Sequence, residues 1–244
     1  MAKKLKARAK EAKVAEVEIE EESRSLDSFI QENSKLLLVG LGVIALLVVG
    51  YLFYLNNLDQ QNLEANTEMF RAVKEFERDS LDKALNGSGQ FLGFDEIAEV
   101  YSGTEVANLA TYYIGIIHIR QGNLEDGIDY LKSFSKSDNM LSSSAYMAMG
   151  FAYEDLGDPS EAANYFEKAA RTPGENEHTT PTMLLNAGRN YEAAGQASKA
   201  LSLYKEIKED YPQSSEGINI DKNIGRVSKS VSYTHLTLPT NGCV

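Results

Sequence analysis

Three segments of the chain line up on a glycine set in the middle of a helical pattern. "YYIGIIHIRQGNLEDGIDYLKSF", "YMAMGFAYEDLGDPSEAANYFEKAA" and "LLNAGRNYEAAGQASKALSLYKEI" carry Gly115, Gly150 and Gly188. A second glycine follows seven residues later each time, at Gly122, Gly157 and Gly195. A small residue comes five further on (Gly127, Ala162, Ala200), and a bulky one four beyond that (Leu131, Phe166, Tyr204). The glycine-to-glycine periods are 35 and 38. A glycine inside a helix costs roughly 1 kcal/mol relative to alanine. Three of them at matched offsets therefore point to a packing requirement. Self-similarity at this period means helical hairpins that bury their apolar faces on one another in series.

The spacing suggests how each hairpin closes. Gly150 and Ala162 would let two helices approach, while Tyr153 and Phe166 fill the space between neighbouring pairs. Gly157 would end the first helix in a tight turn, and Pro159 would open the second at a position that tolerates a missing N–H. Tyr191, Ala200 and Tyr204 take the same roles in the third unit.

The pattern G-x-x-Y-x-x-x-G-x-x-x-x-A-x-x-x-F/Y, closed by Pro212, resembles the tetratricopeptide repeat, whose period is about 34 residues. The middle unit fits best. The first has His118 for the tyrosine and Gly127 for the alanine, and the third is stretched through "TPGENEHTTP". The resemblance covers about residues 104–214 and, more weakly, 57–102. It implies an all-α chain with a right-handed α-solenoid: a degenerate first repeat with a loop over 57–102, three repeats over 103–214 and a tail over 215–230. It also implies that the first helix of each pair lines a groove. Here that face carries Tyr112, Ile116, Ile119, Met147, Phe151, Leu185 and Arg189, with Glu154 and Glu192 at its edge. Members of the family that clamp a free C-terminus use Lys and Asn at corresponding positions, which are absent. An apolar groove suits an amphipathic helix or an unfolded segment. Alternatively, the helix expected over 57–78 folds back into it.

Upstream, "LLLVGLGVIALLVVGYLFYL" runs from Leu36 to Leu55 without a charge. Twenty helical residues span about 30 Å, the thickness of a bilayer's hydrocarbon core. Tyr51, Phe53 and Tyr54 sit where an interfacial aromatic belt would. The run is too long for a signal peptide, and no small-x-small cleavage site comes after it. The sequence therefore predicts a single transmembrane helix over 34–56. Lys35 and seven further Lys/Arg precede it, whereas the first basic residue after it is Arg71. By the positive-inside rule the tail, residues 1–33, is cytoplasmic and partly disordered, and the repeats lie on the other side. "LDSFIQEN" reads either as a surface-lying segment or as a helical lead-in.

The net charge is −12. The first 35 residues balance eight Lys/Arg against eight Asp/Glu, so all of the excess falls on the remainder. That argues against nucleic-acid binding, which needs a basic face. No phosphate-binding loop, H-E-x-x-H or G-x-S-x-G is present. His118 replaces a packing tyrosine. His178 lies near Glu175 and Glu177 without a third convergent ligand. The reading is of a non-enzyme with no cofactor, no metal and no catalytic residue. The last fourteen residues, "VSYTHLTLPTNGCV", have no helical period and resemble a translated sequencing adapter. Residues 231–244 are read as an artefact, which removes the single cysteine, Cys243, from the inventory.

A single-pass anchor, a charged tail and an extracytoplasmic repeat domain, with the "LDSFIQENSK" lead-in, resemble the ancillary SecYEG translocon subunit family of bacteria. That resemblance implies a scaffold in the inner membrane with a periplasmic repeat domain. Its partners would be the translocon, periplasmic chaperones or client segments. The alternative is a structural subunit that forms a homo-oligomer to organise an envelope complex.

Overall fold

The computed structural model describes residues 33–136, 138–174 and 178–236. Among them the regular elements are helices: α1 (Ser34–Glu77), α2 (Leu81–Asn86), α3 (Phe94–Val100), α4 (Glu105–Arg120), α5 (Leu124–Ser133), α6 (Asn139–Asp155), α7 (Pro159–Ala170), α8 (Thr180–Ala193), α9 (Ala197–Asp210), α10 (Ser215–Asn219) and α11 (Asp221–Leu236). The chain is an all-α tetratricopeptide-like solenoid preceded by an apolar helix. Two compact units divide it, Met1–Asp59 and Gln60–Val244.

In the first unit, α1 is the one helix among the described residues with the length and composition to cross a membrane. Leu36, Leu47 and Phe53 are largely exposed. The reading of residues 1–32 as a cytoplasmic tail lies outside the described residues.

In the second unit three hairpins share one glycine turn, and the middle one adds side-chain caps to both its helices. Asp138 and Asp158 cap α6 and α7 by accepting hydrogen bonds from Leu141 N–H (2.9 Å) and Glu161 N–H (3.1 Å), with Pro159 in the first turn of α7. Gly157 takes φ +76°, the left-handed conformation that glycine adopts without steric cost. This lets Asp158 N–H reach Tyr153 O at 2.9 Å and closes a Schellman turn. Gly122 and Gly195 close α4 and α8 by the same bond, with Asn123 N–H on His118 O and Gln196 N–H on Tyr191 O.

The mid-helix glycines face the second helix of their own hairpin, but the groups they meet differ from the expected ones. A Cβ on Gly150 would lie 2.8 Å from the Phe166 ring, and one on Gly188 would strike the Tyr204 ring. Phe166 therefore seats on the glycine of its own hairpin and also joins the cluster that reaches Leu184 and Tyr204 of the next one. The first unit uses Leu131 instead of a ring. There the backbones come closer, and a Gly115 Cβ would lie 2.7 Å from Leu131 Cγ and 3.0 Å from Gly127 O.

Contacts between hairpins recur at the repeat spacing. Tyr153, stacked on Tyr165 of its own hairpin (5.3 Å, 13°), takes Lys132 of the preceding hairpin over its face. The Tyr191 hydroxyl lies 2.9 Å from Glu167 Oε2 and 3.0 Å from Asn164 Oδ1 on α7. Arg171 forks onto Glu206, and Gln196 Nε2 donates to Ser160 Oγ at 3.0 Å. The buried side chains fall into three successive clusters, around Phe94 and Ile114, around Leu131 and Met149, and around Phe166, Leu184 and Tyr204. Such serial burial is what a one-dimensional stack requires.

Both ends depart from the expectation. Residues 60–77 pack through Ala65, Met69 and Ala72 onto Val106 and Ala110 of α4, and Phe76 meets Tyr113 edge-on at 5.1 Å. They do not enter the groove, whose residues on α4 belong to the next cluster. The six-residue α2, with Ala84 and Leu85 buried, is too short to show a period in the sequence.

At the other end, residues 215–230 form no loose tail. Ile220 and Val227 are 1% and 3% exposed and belong to the third cluster. Asn223-Ile-Gly225-Arg226 repeats Asn186-Ala-Gly188-Arg189 after 37 residues, so α11 is the first helix of a fourth unit. Its backbone continues through Leu236, six residues into the stretch expected to lack helical period. The rest of that stretch, 237–244, lies outside the described residues. A Cβ on Gly225 would meet nothing within 4 Å, because no second helix crosses it among the described residues.

The same substitution should therefore act with opposite sign at equivalent positions. Gly225→Ala stabilises by up to about 1 kcal/mol through helix propensity. Gly150→Ala gains the same amount but forces the fully buried Phe166 ring to move, a cost of about 1–3 kcal/mol that leaves it neutral to destabilising. Urea denaturation of the two variants in detergent checks this.

Candidate functional site

The first helices of the hairpins, α4, α6, α8 and α11, present equivalent positions in sequence register. Three residues before each repeat glycine stand Tyr112, Met147, Leu185 and Lys222, and one residue after it stand Ile116, Phe151, Arg189 and Arg226. The series is apolar over the first two units, mixed in the third (Leu185 and Arg189) and basic in the fourth.

Several of the expected groove residues take part in packing. Tyr112 is half-buried, its ring 5.5 Å from Phe134 and 5.5 Å from Tyr113. Burial pushes its phenol above the ordinary range, with Tyr113 adding to the shift. Ile116 and Ile119 pack on the second cluster, and Ile119 Cγ1 lies 2.6 Å from where a Gly127 Cβ would stand. Met147 and Leu185 are half-buried against the third cluster. Phe151 is different: it is 44% exposed, with only one edge resting on Phe166 at 4.9 Å.

Arg189 and Leu185 share a pocket of about 210 Å³ with Ser215, Glu216, Asn219, Ile220 and Asn223. A loose tail over 215–230 would leave the last five without a place in the groove. The recurrence of Asn-x-Gly-Arg is the sequence signal that leads to them. Burial works against an ionised Glu216, but hydrogen bonds from Ser215, its own backbone and Thr182, helped by Arg189, hold its carboxyl below the ordinary range. At the groove edge, Arg226 donates to Glu192 at 2.7 Å and Asn190 Nδ2 to Glu154 at 3.4 Å. Behind them the Tyr204 hydroxyl is buried in a polar cluster with Glu192 and Arg226. Burial first, then Glu192, pushes its phenol up to about 12.

Comparison with family models finds two matches, over residues 143–173 and 183–214, both described as tetratricopeptide repeat. These matches fall on the second and third hairpins. No curated protein matches the chain. Among solved structures the chain is similar to MamA protein, with 16% identity over 70% of this chain and 88% of that one (TM-score 0.48). It is also similar to the nearly identical TPR-like repeats of a putative kinesin light chain from Podosopora anserina, with 11% identity over 70% and 88% (TM-score 0.49).

His118 and His178 are not among the apolar positions of the groove. His118 stacks on Tyr130 at 5.3 Å, between the helices of the first hairpin. His178 borders a larger cavity of about 670 Å³ at the end of α9, lined by Glu206, Glu209, Asp210 and Tyr211. Glu175 and Glu177, considered with it as ligands, lie outside the described residues. Among the described residues no His/Cys/Asp/Glu group is placed to hold a metal ion.

Two tyrosines should impose a pH limit on the repeats. Burial, then the Glu167 hydrogen bond, pushes the Tyr191 phenol up to about 12, matching Tyr204. An unfolded tyrosine ionises near pH 10. The neutral phenols therefore contribute stability that is fully present below pH 10 and is lost as pH rises towards 12. The urea midpoint of the full chain should fall across that interval. In Tyr191→Phe the fall should be shallower.

Proposed function

We propose that this chain is a membrane-anchored scaffold whose tetratricopeptide groove binds polypeptide segments outside the cytoplasm. By the resemblance in its order of parts, it acts beside the protein translocon of a bacterial inner membrane, receiving chaperones or newly exported clients. The observation that carries the reading is the half-exposed Phe151, presented by a helix whose neighbouring positions are buried. An aromatic side chain in such a place offers large contact area at little entropic cost. The apolar run of α1 supplies the anchor, and its basic N-terminal flank supplies the orientation. The matched repeats support interaction with protein as the molecular role.

A photo-crosslinking residue at Tyr112 or Phe151 should capture extracytoplasmic proteins in intact cells. Capture of lipid alone, or of nothing, would count against the groove. Protease added to spheroplasts should remove the repeats and leave the N-terminal tail protected. Digestion of the tail with the repeats spared would reverse the orientation.

A further inference from the structure

One motif takes no part in the groove: the Asn-Gly pair at Asn86-Gly87. In such a pair no Cβ on the second residue shields its backbone nitrogen from the asparagine carboxamide. The nitrogen attacks Cγ, the bond from Cγ to Nδ2 breaks, and ammonia leaves a succinimide ring. Water then opens the ring at either carbonyl, giving aspartate or isoaspartate. Asn86 is exposed at the end of α2. The groups that must meet are nevertheless held apart. Gly87 N–H donates to Lys83 O at 2.9 Å and closes the last helical turn, and Asn86 Nδ2 is turned back onto Asp82 O at 3.1 Å. Ring closure needs a rotation about the Cα–C bond of Asn86, which breaks the first of these bonds.

The loop that follows locks this arrangement. Ser88 and Phe91 exchange backbone hydrogen bonds of 3.0 and 3.1 Å. Two ties run to α1: Arg71 Nη1 donates to Gln90 O at 2.8 Å, and Leu92 N–H to Glu68 Oε2 at 3.3 Å. Gly93 crosses Gly87 so closely that a Cβ on it would lie 2.3 Å from the Gly87 nitrogen and 2.2 Å from Leu85 O. Leu85, Phe94 and Ile97 are buried in one cluster with Ala110, Ile114 and Ile117 of α4.

We propose that Asn86-Gly87 is a deamidation site that the fold keeps closed, and that its conversion to isoaspartate makes an opening of residues 81–100 irreversible. Isoaspartate routes the backbone through the side chain and lengthens it by one carbon–carbon bond, about 1.5 Å. The crossing of Gly87 and Gly93 leaves no room for that length. A segment that opens and reacts does not dock again, so Ile114 and Ile117 of α4 lose their cover. In a repeat stack, losing a terminal element leaves the face of the next one in water. The pair thus records the opening of this end of the stack in one direction only, whatever the groove binds.

The test incubates the full chain in a neutral detergent at mildly alkaline pH and follows the segment spanning Asn86 by peptide-mapping mass spectrometry. A synthetic peptide of residues 81–93 gives the rate without the fold. When opening is fast relative to reaction the rate follows the open fraction, so the full chain should react at least about 10-fold more slowly than the peptide. Arg71→Ala, which cuts one tie between the loop and α1, should raise the rate several-fold, as should urea below the unfolding transition. Asn86→Gln should abolish the signal. In chains that carry isoaspartate, amide hydrogen exchange should be fast over 81–100 and unchanged over 143–214. Reaction of the full chain as fast as the peptide would overturn the proposal. So would a rate that neither Arg71→Ala nor urea raises, or isoaspartate chains that keep full protection over 81–100.

Discussion

The fold depends on one contact made three times: a bulky side chain from the second helix of a hairpin seated on the glycine of the first. Leu131 on Gly115, Phe166 on Gly150 and Tyr204 on Gly188 leave no room for a methyl group. Each glycine gives up about 1 kcal/mol of helix propensity. The ring or branched chain it admits is fully buried, which contributes more, on the order of 2–3 kcal/mol. Because the contact fixes the approach of two helices, it also sets which residues of the first helix are left facing outward.

Its effects pass from each hairpin to the next. Each hairpin exposes a surface that only its successor can cover, and the tyrosine three residues after the repeat glycine does much of the covering. Tyr153 lies flat between Tyr165 and Lys132, and Tyr191 reaches back to Asn164 and Glu167. At the end of the series Ile220, just before α11, and Ile224 and Val227 within it turn inward, while Lys222, Arg226 and Lys229 are exposed. A polar outer face of that kind lets a stack stop without leaving an apolar surface in water. Gly225 keeps the register with nothing placed on it among the described residues.

The same register organises the groove. Positions set by the repeat glycine are apolar in the first two units, mixed in the third and cationic in the fourth. Packing then divides them by use. Ile119 and Leu185 are drawn into the hairpins, Phe151 is left half-exposed, and Arg189 has no ion-pair partner among the described residues.

The sequence by itself determined the helical class, the hairpin boundaries and the hydrophobic run of α1, because periodicity, glycine spacing and an uncharged stretch are local properties of the chain. It also marked Gly150 as a contact, since a residue that disfavours its own helix must answer to something outside it. Which atoms answered was a tertiary matter. Ala162 and Phe166 lie on the same helix face one turn apart, and only the crossing of α6 and α7 chose the ring over the methyl. Only the tertiary structure, likewise, turned residues 215–230 from a polar tail into the wall of a pocket, because Ile220 and Val227 are too few and too spaced to announce a core until α9 is there to bury them.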